Sequence, residues 1–374
     1  MRAGPIGRHT FAIPSIVRSY DPINIMRLVL AIILLPGLLC PTLYAQDPEA
    51  ARELTREGVR LHEAGSYEEA IKQFNAALKK DKDNFHAMAE KANTLEAMGS
   101  YEDCIALTER ALQIHGANEE VSILYLAQAN ALDKMKKPEE ALAVYKRGQE
   151  RSPNDHQLWY NEGVTLAGLG RNDEAKDRFE HAIRLAPEHA GSHNALGRLA
   201  QQEKERIPAL LALSRCLILE STGQRARGNL SRVQDLMKGN AERTGENSVT
   251  VHVDSAKLAS ADQMKDSFVG VELVVDMMSA MDLSAENRSK PFVELFQDKF
   301  DTVCGMLDES KAGHEGFFWD YYAPYFAALK NAGHVEAAVM VMHRSSAAVG
   351  VQNWLLAHKS AVVAFEEWTA AYEW

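Results

Sequence analysis

The stretch WYNEGVTLAGLGRNDEAKDRFEHAIRLAP, residues 159–187, decides the fold. It reads as two short amphipathic runs joined at Gly170, with small residues at Gly163, Ala175 and Ala182 and a bulky one at Phe179. The spacing of small and bulky positions is helical in both halves, so the unit is a pair of helices whose backbones approach closely.

The same unit recurs on both sides. A small residue followed four places later by a larger one occurs at Ala70/Phe74, Cys104/Thr108, Ala141/Tyr145, Ala175/Phe179 and Ala209/Leu213, with intervals of 34, 37, 34 and 34 residues. Each copy begins with a further small residue, at Gly58, Ala92, Ala129, Gly163 and Gly197, where a larger side chain wedges the helix pair apart. Turns are expected at Gly65, Gly99 and Gly170, with helix starts at Ser66, Ser100 and Asn172. In copies three and five Pro138 and Pro208 suit the first helical turn. A helix pair cannot bury its own apolar face, so each copy completes the core of its neighbour.

This pattern resembles the tetratricopeptide repeat family. Copy four carries Trp159, Gly163, Leu166, Ala175, Phe179, Ala182 and Pro187, and copy one carries Gly58, Leu61, Tyr67, Ala70, Phe74 and Ala77. Copy two departs with Thr108 in the large place, and copy five lacks the aromatics. The resemblance implies an all-α fold: a right-handed solenoid of about five helix-turn-helix repeats over residues 46–221. It implies function as a non-catalytic scaffold that binds a protein or peptide in a concave groove formed by the first helices. Groove positions carried over from the family's geometry include His62, His86, Asn93, Asn130, Tyr160, Asn194 and Arg198, together with Thr55, Val59, Glu96, Leu126, Asp133, Val164 and Gln201. Asn93 and Asn130 are equivalent, and an amide there offers an extended peptide both a donor and an acceptor. The carboxylate clamp of some members requires a lysine where this chain has Ala89 and an asparagine where it has Ala127, so that mode is not expected.

The flanks read differently. Residues 28–45 (LVLAIILLPGLLCPTLYA) are uncharged, follow Arg27 and are broken by Pro36 and Gly37. The apolar centre is short for a bilayer span and suits a signal segment over residues 1–45, with Met26 a candidate start and cleavage after Ala45. The expected location is periplasmic or secreted, with no stable membrane span after processing; the alternative is an uncleaved anchor. Residues 1–45 contribute +3, so the remainder of a chain of net charge −11 carries −14, which argues against nucleic acid as a partner. Removal of Cys40 would leave Cys104, Cys216 and Cys304, an odd and widely spaced set that does not form a disulfide framework.

Residues 222–374 are expected to form a mainly helical domain of no recognised family. A helix is expected near 230–237 and a strand over 249–253, where valines alternate with polar residues. Further helices are expected over 271–281, 291–307, 317–331, 335–345 and 354–371. Seven aromatics crowd between Phe317 and Phe326. They form either core or a second recognition surface, for which Trp319 and Tyr322 are the candidates; the alternative functions there are a carbohydrate-handling accessory protein or an enzyme with its site in this aromatic-rich domain. His62-Glu63 and His314-Glu315 lack the second histidine of a zinc protease, and no phosphate loop, dinucleotide fingerprint or paired CxxC is present. His189 and His193, four apart, with His181 nearby, are the residues from which a metal site could be imagined. No catalytic residue, metal or cofactor is therefore assigned. The partner's identity and the oligomeric state are left open.

Overall fold

The computed structural model describes residues 47–374 apart from 246–247, 253–258, 260–264, 285 and 288. The signal-segment reading and the possible start at Met26 therefore lie outside the described residues.

Five helix pairs run in order: α1 (Pro48–Glu63) with α2 (Tyr67–Lys80), α3 (Phe85–Ala97) with α4 (Tyr101–His115), α5 (Ser122–Lys134) with α6 (Pro138–Arg151), α7 (His156–Gly168) with α8 (Asn172–Leu185), and α9 (Ala190–Gln202) with α10 (Arg206–Leu219). Three first helices are capped by acceptor side chains: Asp47 accepts from the Ala50 amide, Asn84 from Ala87 and Asp155 from Gln157. The caps expected on the second helices differ. Ser66 and Ser100 occupy the cap positions, but their side chains make no cap bond, and Arg171 rather than Asn172 caps α8. Within the pairs of copies one, two and four the chain turns through Gly65, Gly99 and Gly170 at φ of 75°, 79° and 75°. Copies three and five use Lys136 and Lys204 at φ of 64° and 63°.

The small residues do what the spacing requires. A Cβ built on Gly58 meets the Phe74 ring at 2.5 Å, one on Gly163 meets the Phe179 ring at 2.6 Å, and one on Gly197 meets Leu213 at 2.8 Å. Ala92 and Ala129 are fully buried. In copy two Thr108 fills the large place, is fully buried, and returns its hydroxyl to the Cys104 and Ile105 carbonyls. All three described cysteines are buried free thiols.

Copy five is built differently from the others. Every residue of α10 from Ile207 to Ile218 is buried, as expected of a helix apolar on all sides. Seven helices follow, α11 (Gly223–Leu236), α12 (Val269–Asp282), α13 (Phe292–Glu309), α14 (Ala323–Asn331), α15 (Val335–Met342), α16 (Val349–Ala357) and α17 (Lys359–Ala370), and of these α11, α12 and α15 pack directly on α10. The expected strand pairs with a second one: β1 (Ala241–Arg243) and β2 (Val249–Val251) form an antiparallel ribbon with Glu242 opposite Thr250. The expected 317–331 helix begins as a π-helical turn over Phe318–Tyr322. The expected 354–371 helix is two helices, α16 starting earlier at Val349 and α17 following His358, whose φ of −116° and ψ of 42° break the run. One continuous core runs from Leu166 and Phe179 through α10 to Trp319, Val341 and Phe365.

Three polar bolts join the array to these helices. His193 on α9 is fully buried; its Nδ1 accepts from the Tyr322 hydroxyl at 2.6 Å, and its Nε2 donates to the Pro187 carbonyl at 2.9 Å. Both nitrogens are thereby assigned in a neutral ring, and burial pushes its pKa down to about 3. Arg206 donates to Asp276 at 2.6 Å and to the Leu236 carbonyl at 2.7 Å. Arg215, 2% exposed, lies over the Tyr325 and Trp374 rings and donates to the Tyr325 and Thr369 hydroxyls.

Candidate functional site

The first helices carry two adjoining hollows. One, of about 390 Å³, is lined by Arg52, Thr55, Arg56 and Val59 of α1 with Asn84, His86 and Glu90. The other, of about 810 Å³, shares His86 and Glu90 and continues over Phe85 and Ala89, Glu119 and Glu120, Ser122 and Ile123 at the start of α5, and residues 151–155 ahead of α7. Of the groove positions carried over from the family, Thr55, Val59 and His86 line the smaller hollow and His86 alone lines the larger, which sits at the starts of α3 and α5 and the segment ahead of α7. The aromatic segment packs instead at the far end of the array: Lys176 and Arg184 of α8 sit over the Phe318 and Phe317 rings, His193 of α9 bonds Tyr322, and α10 lies beneath. The first-helix face of repeats one to four thus stays open.

The groove candidates divide by what they already bond. His86 is exposed and meets Glu120 at 3.6 Å. Asn93 is half-buried, and Arg198 is exposed. Tyr160 is half-buried, with its ring edge-on to His189 at 4.9 Å. His62 is tied inward: the Thr94 hydroxyl donates to the Glu90 carbonyl, so His62 Nδ1 donates to Thr94 Oγ1 at 2.9 Å. Asn194 accepts from the Asn229 amide at 3.0 Å.

Asn130 corrects an expectation. Its Oδ1 accepts from the Tyr145 hydroxyl at 2.6 Å, so it is no longer the equivalent of Asn93 and serves the packing of its own helix pair. The signal was present in the sequence: copy three has tyrosine where copies one and four have phenylalanine, and a buried phenol needs a partner. Thr55 and Leu126 are buried as well, at 7% and 8% exposure.

The second-surface candidates are also corrected. Trp319 is 1% exposed, with its ring between Phe268 at 4.2 Å and His314 at 4.4 Å. Tyr322 is fully buried, with its hydroxyl committed to His193. With both faces of the indole covered, no surface remains there for a sugar to stack on. His189 bonds Ser192, His193 is enclosed, and His181 lies against Trp159 at 3.9 Å. Among the described residues no group of three or more His, Cys, Asp or Glu could hold a metal ion. Arg52, Arg56, Glu90, Glu119, Glu120 and Asp155 were not among the sequence candidates, because the carried-over pattern omits the neighbouring helix positions and the loops between copies.

Tetratricopeptide repeat profiles match residues 61–125, 123–155 and 156–189. The chain is 30% identical over 154 residues to a DnaJ homolog subfamily C member 7 homolog of Schizosaccharomyces pombe; the match takes in 37% of this chain and only 30% of that relative. Among solved structures, it is 20% identical to a thermophilic tetratricopeptide repeat protein of Thermus thermophilus, over 50% of this chain and 99% of the other, with a TM-score of 0.43. It is 18% identical to pilF of Pseudomonas aeruginosa over 67% of this chain and 98% of that one, with a TM-score of 0.45. The profile matches and the repeat geometry define the class, a helical-repeat scaffold for protein–protein interaction. Residues 61–189 of the chain are tetratricopeptide repeats, and the core of the array continues into the helices that follow it.

Proposed function

We propose that the protein binds an extended segment of a partner protein along the first-helix face, and that the C-terminal helices close the far end of the array. The observation that carries this is the pair of open hollows over repeats one to three and the start of repeat four, set against an aromatic segment whose rings are buried apart from the half-buried Tyr321. The last pair of a repeat array otherwise exposes the apolar face that its next copy would bury, and α10 receives that cover from α11, α12, α15 and the Phe318–Tyr322 turn.

Asn93 and Asn130 provide the test. Asn93→Ala is expected to weaken capture of the partner, crosslinked and recovered from the native host, about 2- to 12-fold, because one hydrogen bond contributes about 0.5–1.5 kcal/mol net. Its thermal midpoint should stay at the wild-type value. Asn130→Ala removes one partner of the Tyr145 hydroxyl, which also has the Thr165 side chain within hydrogen-bonding reach, so it should lower stability by about 0.5–1.5 kcal/mol, the net worth of one hydrogen bond. Partner recovery unchanged by Asn93→Ala, His86→Ala and their combination, in folded protein, would sink the groove reading.

We also propose that the protein works outside the cytoplasm, from the basic, apolar and polar order that begins at Met26. No helix among the described residues is long and apolar enough to cross a membrane. Intact-mass measurement of the protein from its host should give a chain beginning at Gln46. A soluble cytoplasmic chain that retains residues 28–45 contradicts it.

A further inference from the structure

The two hollows differ in charge. At the repeat-one end stand Arg52 and Arg56. Arg52 touches Glu49 at 3.3 Å in an exposed pair that water screens, and Arg56 has no ion-pair partner among the described residues. The larger hollow carries Glu90, Glu119, Glu120 and Asp155. Among the described residues Glu90 and Glu119 have no ion pair, Glu120 meets His86, and Asp155 spends Oδ1 on the Gln157 amide. Arg151, in the same wall, is turned to the Gly116 carbonyl.

Glu96 and Asp133, at groove positions of α3 and α5, line neither hollow. Burial raises the pKa of Glu96, and Lys134 and His62 near it partly offset that cost. Carboxylates gathered around a concave hollow repel one another, and the low-dielectric walls focus their field into the space between them.

With this face taken as the binding surface, on which the reading rests, we propose that the occupant is a cationic extended segment. Its Lys or Arg residues lie across repeats two to four, with an acidic residue of the same segment at the Arg52/Arg56 end. The volumes suit a peptide of several residues in extended form, which rises about 3.3 Å per residue. Complementary charge fixes both its direction along the groove and its rate of capture.

The test uses the whole chain and three labelled dodecapeptides in fluorescence anisotropy. The first has four central lysines and one terminal glutamate, the second exchanges lysine for glutamate, and the third is neutral Gly-Ser. The lysine peptide is expected to bind at least about 10-fold tighter than the neutral one at low salt and to weaken as salt rises, since exposed charges are screened over about 10 Å at 0.1 M. Glu119→Lys with Glu120→Lys should abolish that advantage. Glu68→Lys with Glu109→Lys, the same change of net charge on second helices, should leave it within about 2-fold; this arm separates the groove from the general acidity of the body. Arg52→Glu with Arg56→Glu should weaken the lysine peptide but not a fourth peptide that carries glutamine in place of its terminal glutamate. Equal losses in the two Glu→Lys pairs overturn the proposal, as does equal or tighter binding of the neutral or acidic peptide, or binding of none. A neutral or acidic peptide that binds and is weakened by Asn93→Ala removes the charge class and leaves the groove reading standing. A lysine peptide insensitive to both Glu119→Lys/Glu120→Lys and Asn93→Ala removes both.

Discussion

Asp276→Ala is expected to destabilise the protein by about 3–5 kcal/mol, the range for removing one member of a buried ion pair. Asp276 Oδ1 accepts from Arg206 Nη1 at 2.6 Å and from the Asn240 amide at 2.9 Å, and its side chain is 8% exposed. Removing it leaves the Arg206 guanidinium, 14% exposed, without its counter-charge, and leaves a backbone amide without an acceptor. Arg206 Nη2 already lacks a partner among the described residues, so the loss falls on a group that is incompletely satisfied to begin with. Arg206→Met with Asp276→Leu is expected to recover most of the loss, because an apolar pair of similar volume carries no desolvation cost. Urea midpoints of the two single variants and the double give the coupling directly. A coupling under about 0.5 kcal/mol would mean that the pair holds nothing together. The position makes the expected effect large: Arg206 opens α10, and Asp276 sits on α12, so the pair joins the end of the array to the helices that cover it.

Much of this organisation was legible in the residues alone, for a physical reason. The 34-residue spacing and the small residues at Gly58, Gly163 and Gly197 are demanded by backbone approach, and a steric demand leaves few alternatives. The run RIPALLALSRCLIL announces a helix buried on every side, yet which elements bury it depends on contacts more than 100 residues away in sequence, such as Arg215 with Tyr325. Periodicity placed Phe318, Tyr322, Tyr325 and Leu329 on one stripe, but a stripe of rings looks alike whether it faces core or ligand. Only the packing of Phe268 and His314 on the two faces of Trp319 decides it. The charge of the groove stayed hidden for another reason. Its carboxylates come partly from Glu119, Glu120 and Asp155 in segments between helices, where no repeat pattern marks a residue as lining anything.

Gly163→Leu is the sharper test of the array itself and is expected to cost about 3 kcal/mol, at the upper end of overpacking. A bare Cβ there comes within 2.6 Å of Phe179 Cε1 and 3.2 Å of Arg178 Cβ, and leucine adds three more carbons beyond it. Replacing a mid-helix glycine returns about 1 kcal/mol of helix propensity, too little to offset a displaced Phe179, whose full loss as a core ring costs about 3–5 kcal/mol. Gly170→Leu makes the opposite comparison. Nothing lies within 4 Å of its Cβ, but its φ of +75° strains any L side chain, at about 1–2 kcal/mol. Shrinking the ring separates the two mechanisms. Phe179→Leu should partly rescue a Gly163→Ala variant, since the added methyl then finds room, and should do nothing for Gly170→Leu, whose strain is in the backbone. Because Phe179 belongs to the core that continues through α10 to Phe365, the Gly163 variant should loosen the C-terminal helices as well, read as faster amide exchange in α15 and α17. Equal urea midpoints for Gly163→Leu and Gly170→Leu, with no rescue by Phe179→Leu, would put the close contact of repeat four somewhere other than Gly163.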